Sequence, residues 1–317
     1  MARRLLPKTE ALTVQLLRGG FVESTHRAQA AMCDARGRVL MSAGDPESSF
    51  FIRSALKPFQ ALAAVGTGTL ERYGLSDRDL AIMCASHIGS VAHARQAFNI
   101  LWQCDLEASV LKCPMPDGRH STLEHNCSGK HAGMLAVCQH CHWTIHNYMD
   151  IRHPVQQLVL SKVGECLGMP AAELMTAQDD CGVPTCYLPL RQMALLYARL
   201  ASSDFIEIER VVRAMVHHPD LVAGEGRFDT ELMRLTQGEL VSKSGAEGIQ
   251  CVGRMGEAQG LAIKVQDGAQ RAKYAVAIHL LRQVGWISPA IAEDLSEQFS
   301  ALSDTKRLEV SGELKIL

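Results

Sequence analysis

Arg53-Ser54-Ala55-Leu56-Lys57-Pro58-Phe59-Gln60 sets a hydroxyl and an amine three positions apart, directly ahead of a proline. Proline is tolerated in the first turn of a helix, where its missing N–H has no partner to lose, so Pro58 predicts a helix beginning near Ser54. Residues three apart on a helix are neighbours. An amine held neutral there can take the proton of a serine hydroxyl, which is a poor nucleophile without a base. At the electropositive end of such a helix, an attacking oxygen that acquires negative charge is favoured. Taken alone, Ser-x-x-Lys also describes an ordinary solvated helix face.

Further motifs narrow the reading. Lys243-Ser244-Gly245, within Leu240 to Gly248, is the serine version of the Lys-Thr-Gly element that accompanies Ser-x-x-Lys in serine acyl transferases. Cys84-Ala85-Ser86-His87-Ile88-Gly89 follows the apolar stretch Leu80 to Met83 and is read as the supplier of a second hydroxyl. In His125-Asn126-Cys127-Ser128-Gly129-Lys130-His131-Ala132-Gly133, two glycines permit close backbone approach beside a thiol, an amine and imidazoles. Asp179-Asp180-Cys181-Gly182-Val183-Pro184 has the composition of half a zinc site on a loop stiffened by glycine and proline.

Composition bounds these readings. A chain of 317 residues, 47% of them hydrophobic, can bury a large core in one elaborate domain or two subdomains. The formal charge of -2 and the lack of an extended basic run argue against a nucleic-acid partner and for a small-molecule substrate. No apolar run approaches a membrane span, and Met1 to Glu10 lacks a hydrophobic signal core, so a cytoplasmic location is expected. Eleven unevenly spaced cysteines are an odd number, which favours reduced thiols, some of them ligands, over a disulfide framework.

The local patterns predict strands at Leu12 to Leu17, Gln29 to Cys33 and Val39 to Ser42, with a turn at Asp34-Ala35-Arg36-Gly37. Helical periodicity dominates from Ser54 to about Arg199, clearest at Val155 to Leu167 and Leu188 to Leu200. Strands return at Leu240 to Ser244, Ile249 to Gly253 and Leu261 to Val265, followed by a helix over Tyr274 to Val284. The expected fold class is α/β in the α+β sense, an antiparallel sheet with a helical insert. The whole chain, 1–317, is one catalytic unit: a sheet subdomain from 1–52 and 205–317, and an insert at 53–204.

Together, the Arg53–Gln60, Cys84–His87, Asn126–His131, Asp179–Pro184 and Lys243–Gly248 motifs resemble the bacterial asparaginase II family, the Rhizobium-type enzymes. That family is similar in fold to serine β-lactamases and serine glutaminases. The resemblance implies hydrolysis of L-asparagine to L-aspartate and ammonia by a serine nucleophile assisted by lysine. It implies two Ser-Lys pairs, the first being Ser54 with Lys57 and the second Ser86 with Lys243, for which Lys264 is a rival. Either serine can be the attacking one. By analogy with the related β-lactamases, the backbone amides of Ser54 and Ala246 would stabilise the oxyanion. A zinc site at Cys127, Lys130, Asp179 and Cys181 and a homodimer are also implied; a lysine ligand must be neutral, so the metal or burial would have to depress its pKa.

Alternatives on the same scaffold are a glutaminase or a penicillin-type acyl transferase, and from another class a zinc or redox binding protein. Cys138-Gln139-His140-Cys141-His142 matches a haem-attachment pattern, but that chemistry belongs outside the cytoplasm, and plain thiols on a helix end are the simpler reading. His217-His218-Pro219 reads as a helix terminus.

Overall fold

A computed structural model describes residues 7–202 and 204–317. In chain order its strands are β1 (Leu12–Arg18), β2 (Phe21–Asp34), β3 (Val39–Ala43), β4 (Ser49–Phe51), β5 (Thr176–Gln178), β6 (Pro184–Pro189), β7 (Leu240–Ser244), β8 (Ile249–Arg254), β9 (Gln259–Val265), β10 (Ala301–Ser303), β11 (Lys306–Ser311) and β12 (Lys315–Ile316). The helices are α1 (Lys57–Gly66), α2 (Thr69–Tyr73), α3 (Asp77–Met83), α4 (Val91–Gln103), α5 (Ser128–His140), α6 (Pro154–Leu167), α7 (Leu190–Ser202), α8 (Ile206–His217), α9 (Pro219–Val222), α10 (Phe228–Leu235), α11 (Gln270–Gln283) and α12 (Pro289–Phe299). They form two compact units. One comprises Met1–Ala55, Leu188–Ser202 and Glu231–Leu317, the other Leu56–Tyr187 and Ser203–Thr230.

The first unit is built on an antiparallel sheet drawn from both ends of the chain, in the order β10-β11-β1-β2-β9-β8-β7, with β3 pairing β2 and β12. The predicted strands appear within β1, β2, β3, β7, β8 and β9. β2 begins at Phe21, well before the apolar run at Gln29 that predicted it, because pairing to β1 extends it through an exposed, polar stretch. Gly260 to Val265 of β9 are buried at every position, which requires cover on both faces of the sheet. Helices α7 and α11 pack against β9 and supply it. Gly260 admits α7 closely: a Cβ there would stand 2.1 Å from the Ala194 carbonyl oxygen.

That contact explains a difference from the expected boundaries. Helical periodicity placed Leu188 to Leu200 in the insert, whereas α7 belongs to the sheet unit and Ser203–Thr230 to the helical one. A helix's own periodicity shows that it has an apolar face, and only the glycines of the sheet show what that face covers.

The helical unit is centred on α1, which is buried from Lys57 to Val65 and packs against α5, α6 and α8. Its three alanines, Ala61, Ala63 and Ala64, let neighbouring helices come close. Pro58 lies in the first turn as the sequence required, and a 3-10 turn over Arg53–Leu56 precedes the helix. Ser54 therefore sits in that turn rather than in the α-helix itself. In α5, an added Cβ at Gly129 would stand 2.1 Å from the Ile82 carbonyl oxygen, and one at Gly133 2.8 Å from Met83 Cγ. The two glycines thus let the start of α5 ride directly on the end of α3, from which Cys84-Ala85-Ser86 departs.

Candidate active site

Lys57 is 1% exposed, at the first position of α1. Its Nζ donates to Ser86 Oγ at 2.9 Å, to the Ala85 carbonyl at 2.6 Å and to the Asn126 carbonyl at 3.3 Å. The close packing of α5 on α3 makes this possible, since it delivers the Ser86 loop and the Asn126 turn to one amine. Ser86 is further anchored by its own N–H, which donates to Val222 at 2.9 Å. Within the helical unit, the amine that partners Ser86 is Lys57.

His87, next to Ser86, is buried, and its hydrogen bonds define its tautomer. The Gly89 N–H donates to Nδ1 at 3.1 Å, so Nε2 carries the proton and donates to Ser128 Oγ at 3.0 Å. Burial, and then the neighbouring His93 and Lys57, hold His87 well below the ordinary histidine value. The ring ties the Ser86 loop to the first turn of α5. Sequence proximity to Ser86 was its only signal, and that says nothing about the partner at Ser128.

One turn along α5, Lys130 Nζ lies 2.9 Å from Cys181 Sγ, and Cys127 and Cys181 are hydrogen-bonded to each other. The bond from Cys181 is the foremost cause that holds Cys127 well below the usual thiol value, against burial and with help from Lys57 and Lys130. Cys181 is pushed up by the same bond and by burial. Burial alone would lower Lys130, but Cys127 and Cys181 outweigh it and raise the amine. The surroundings thus favour the charged forms of Cys127 and Lys130 and the neutral form of Cys181, with Asp179 also helping to raise Lys130.

The chemistry of this donor set fits zinc in kind: two thiols and one amine already touch, and Asp179 is on the same loop as Cys181. Asp179 does not close the set into a cluster, since among the described residues no three His, Cys, Asp or Glu side chains lie close enough to hold an ion. All eleven cysteines are free thiols, as expected, and Cys138 and Cys141 lie at the end of α5.

Ser54 and Lys243 belong to the sheet unit. The Ser54 turn is entered through Arg53 at φ 53°, a left-handed conformation uncommon for a residue with a side chain. Tyr197 Oη holds the far side of the turn by donating to the Ala55 carbonyl at 2.8 Å. Gly245 brings the Lys243 motif against this segment: a Cβ there would stand 2.8 Å from the Ile52 carbonyl oxygen. Lys243 is fully buried and donates to the Ser244 carbonyl at 2.8 Å. Its rival Lys264 donates to the Glu247 carbonyl at 2.7 Å and also to the Val265 carbonyl, and burial lowers its pKa. A second left-handed non-glycine residue, Glu247 at φ 55°, follows the motif.

The site thus brings a serine hydroxyl to a buried amine on a mixed α/β scaffold. The chain belongs to the L-asparaginase II family, whose model matches residues 14–316. A search of curated proteins gives no match. Among solved structures, Mglu in its native form in the presence of 4.3 M NaCl is 16% identical over 82% of this chain and 61% of its own, with a TM-score of 0.49. Mglu in its L-glutamate binding form is 17% identical over 82% of this chain and 61% of its own, also with a TM-score of 0.49. A β-lactamase from Mycobacterium bovis is 15% identical over 86% and 95%, with a TM-score of 0.39. The chain thus spans about three fifths of the length of Mglu.

Proposed function

We propose that this protein is an L-asparaginase that hydrolyses L-asparagine to L-aspartate and ammonia through a serine nucleophile activated by lysine. The observation that carries the reading is the buried Lys57 amine 2.9 Å from Ser86 Oγ, with Ser54 only three residues before that lysine. A neutral Lys57 takes the proton of the attacking serine as its Oγ bonds to the side-chain amide carbon. The carbonyl oxygen becomes an oxyanion that accepts from the Ser54 and Ala246 N–H groups. Collapse of this intermediate breaks the C–N bond, with Ser86 passing a proton from Lys57 to the departing nitrogen when Ser54 is the nucleophile. Water then attacks the acyl-enzyme, the lysine accepts its proton, and aspartate leaves with the serine restored. Lys243 is assigned to the second Ser-Lys pair.

Cys127, Lys130, Cys181 and Asp179 are proposed to hold zinc. When bound, the metal would supply fixed positive charge that orients the substrate. Loading requires Lys130 to lose a proton and both thiols to be ionised, so affinity should rise with pH. Metal analysis of the purified protein, with Cys181→Ala as control, checks this: about one zinc per chain that is lost in the variant supports the site, and none at pH 8 with zinc supplied rejects it.

The deciding experiment is ammonia release from L-asparagine and L-glutamine by the wild type, Ser54→Ala and Ser86→Ala. Release from asparagine that disappears in a serine variant supports the reading, and the more damaging substitution identifies the nucleophile. Preferential release from glutamine would make the enzyme a glutaminase, while acylation by a penicillin without amidase turnover would reject both. No helix among the described residues is long and apolar enough to cross a membrane. The eleven free thiols are consistent with the proposed cytoplasmic location. Light scattering of the purified protein tests the proposed homodimer.

A further inference from the structure

Lys273 is a buried lysine that the mechanism above leaves without a role. It lies on α11, is 1% exposed, and donates from Nζ to the Gly245 carbonyl at 2.8 Å. Its Nζ also stands 5.0 Å from the centre of the Tyr274 ring, a cation–π contact. A helix face against a sheet is ordinarily apolar, and burying an ammonium costs several kcal/mol unless it is well paired. The Gly245 carbonyl is therefore held by an interaction that the packing of α11 does not itself need.

We propose that Lys273 is a positioning residue which, by gripping the Gly245 carbonyl, aims the N–H of Ala246 at the oxyanion; this rests on the serine amidohydrolase reading. Gly245 C=O and Ala246 N–H belong to one peptide group. Among the described residues no peptide bond is cis, so in this planar trans unit the two point in opposite directions. Fixing the oxygen from behind fixes the direction of the N–H in front. The Glu247–Gly248 peptide, two further on, is secured in the same way, because Lys264 donates to the Glu247 carbonyl, and the turn closes with Gly245 N–H on Ile249 O at 2.9 Å. Two lysine amines thus hold the carbonyls on either side of Ala246, in a turn whose Glu247 is left-handed and in need of restraint. A misdirected oxyanion donor is costly, since removal of one lowers turnover by roughly 100- to 1,000-fold.

The test replaces Lys273 with Met, which keeps the length of the side chain and removes the donor, and with Gln, which keeps an N–H donor on a shorter stem. Steady-state kinetics on L-asparagine is combined with hydrogen exchange of the Ser244–Gly248 turn. For Lys273→Met we expect kcat to fall roughly 10- to 100-fold with KM changed less than about threefold, and partial recovery in Lys273→Gln. Exchange of the turn should rise about tenfold or more while the body of β8 stays protected. A merely structural lysine would lower the folded fraction and leave kcat per folded molecule intact, and that result overturns the proposal. Unchanged exchange in both variants overturns it too. If Lys273→Met does not fold, Lys273→Gln carries the same readouts. A wild type inactive on every amide would instead reject the amidohydrolase reading and the oxyanion role with it, while the exchange measurement still decides whether Lys273 clamps the turn.

Discussion

In the helical unit, reactive groups are held by side-chain hydrogen bonds inside a packed core: Lys57 on three oxygens, His87 on Ser128, and Lys130 between cysteines. In the sheet unit, what is held is backbone: a left-handed Arg53 before Ser54, a left-handed Glu247 after Ala246, and lysines that bind carbonyls. Under the proposed mechanism the difference has a reason: moving a proton calls for a titratable group fixed on a rigid helix, and stabilising an oxyanion calls for N–H groups aimed by the backbone.

The comparison breaks most sharply at Lys57. Lys57→Met removes the amine and leaves the Ala85 and Asn126 carbonyls without this donor, so ammonia release should fall about 1,000-fold or more, near the upper range for general-base loss. Circular dichroism should show that the fold persists. Activity within tenfold of the wild type would remove Lys57 from the proton path.

A second difference lies in the glycines. Gly129→Ala gains at most about 1 kcal/mol in helix propensity but drives a Cβ to 2.1 Å from a main-chain carbonyl, so α5 must shift off α3 and a net loss of about 1–3 kcal/mol is expected. The corresponding contact for Gly245→Ala is 2.8 Å, and its stability loss should be the smaller of the two. Urea unfolding of both variants checks the order. The opposite order would show that the sheet unit, rather than the α3–α5 contact, is the less forgiving one.

The smallest effect concerns pH. His87 and His93 are both lowered, foremost by burial, so near and below pH ~6.5 the unfolded chain binds protons that the folded chain does not. Stability should therefore decline as pH falls through about 6.5, by up to about 1.4 kcal/mol per pH unit for each histidine, until the depressed folded-state values are reached. Denaturant midpoints at pH 7.5 and 5.5 measure this, and the slope should be reduced in His93→Gln. No reduction would mean that groups outside this stacked pair control the acid side.

Much of this was legible in advance where the signal was local. Pro58 announced the start of α1, Asp34 to Gly37 announced the turn before β3, and the apolar runs announced β7 to β9. The first half of β2, the strands β10 to β12 and helix α12 were not anticipated, because they are exposed in large part, and the partners of β11 and β12, namely β1 and β3, lie far away in sequence. The division of helices between the units also depended on contacts, with Gly260 drawing α7 onto the sheet. Within the candidate site, motifs identified Ser54, Lys57, Ser86, Lys243 and the Cys127–Lys130–Cys181 set as reactive types. They did not identify Lys273, whose buried amine lies in an otherwise unremarkable helix and whose partner is a carbonyl without a sequence signature.

By itself the sequence determined the chemical inventory, the family and the order of sheet, helices and sheet, because side-chain type and short-range periodicity are properties of neighbouring residues. Tertiary structure alone decided that Lys57 meets Ser86, that Lys130 meets Cys181, and that Lys273 reaches Gly245. Each of those contacts joins residues 28 to 51 positions apart, and each depends on how closely two backbones approach, which is settled by packing and not by any local pattern.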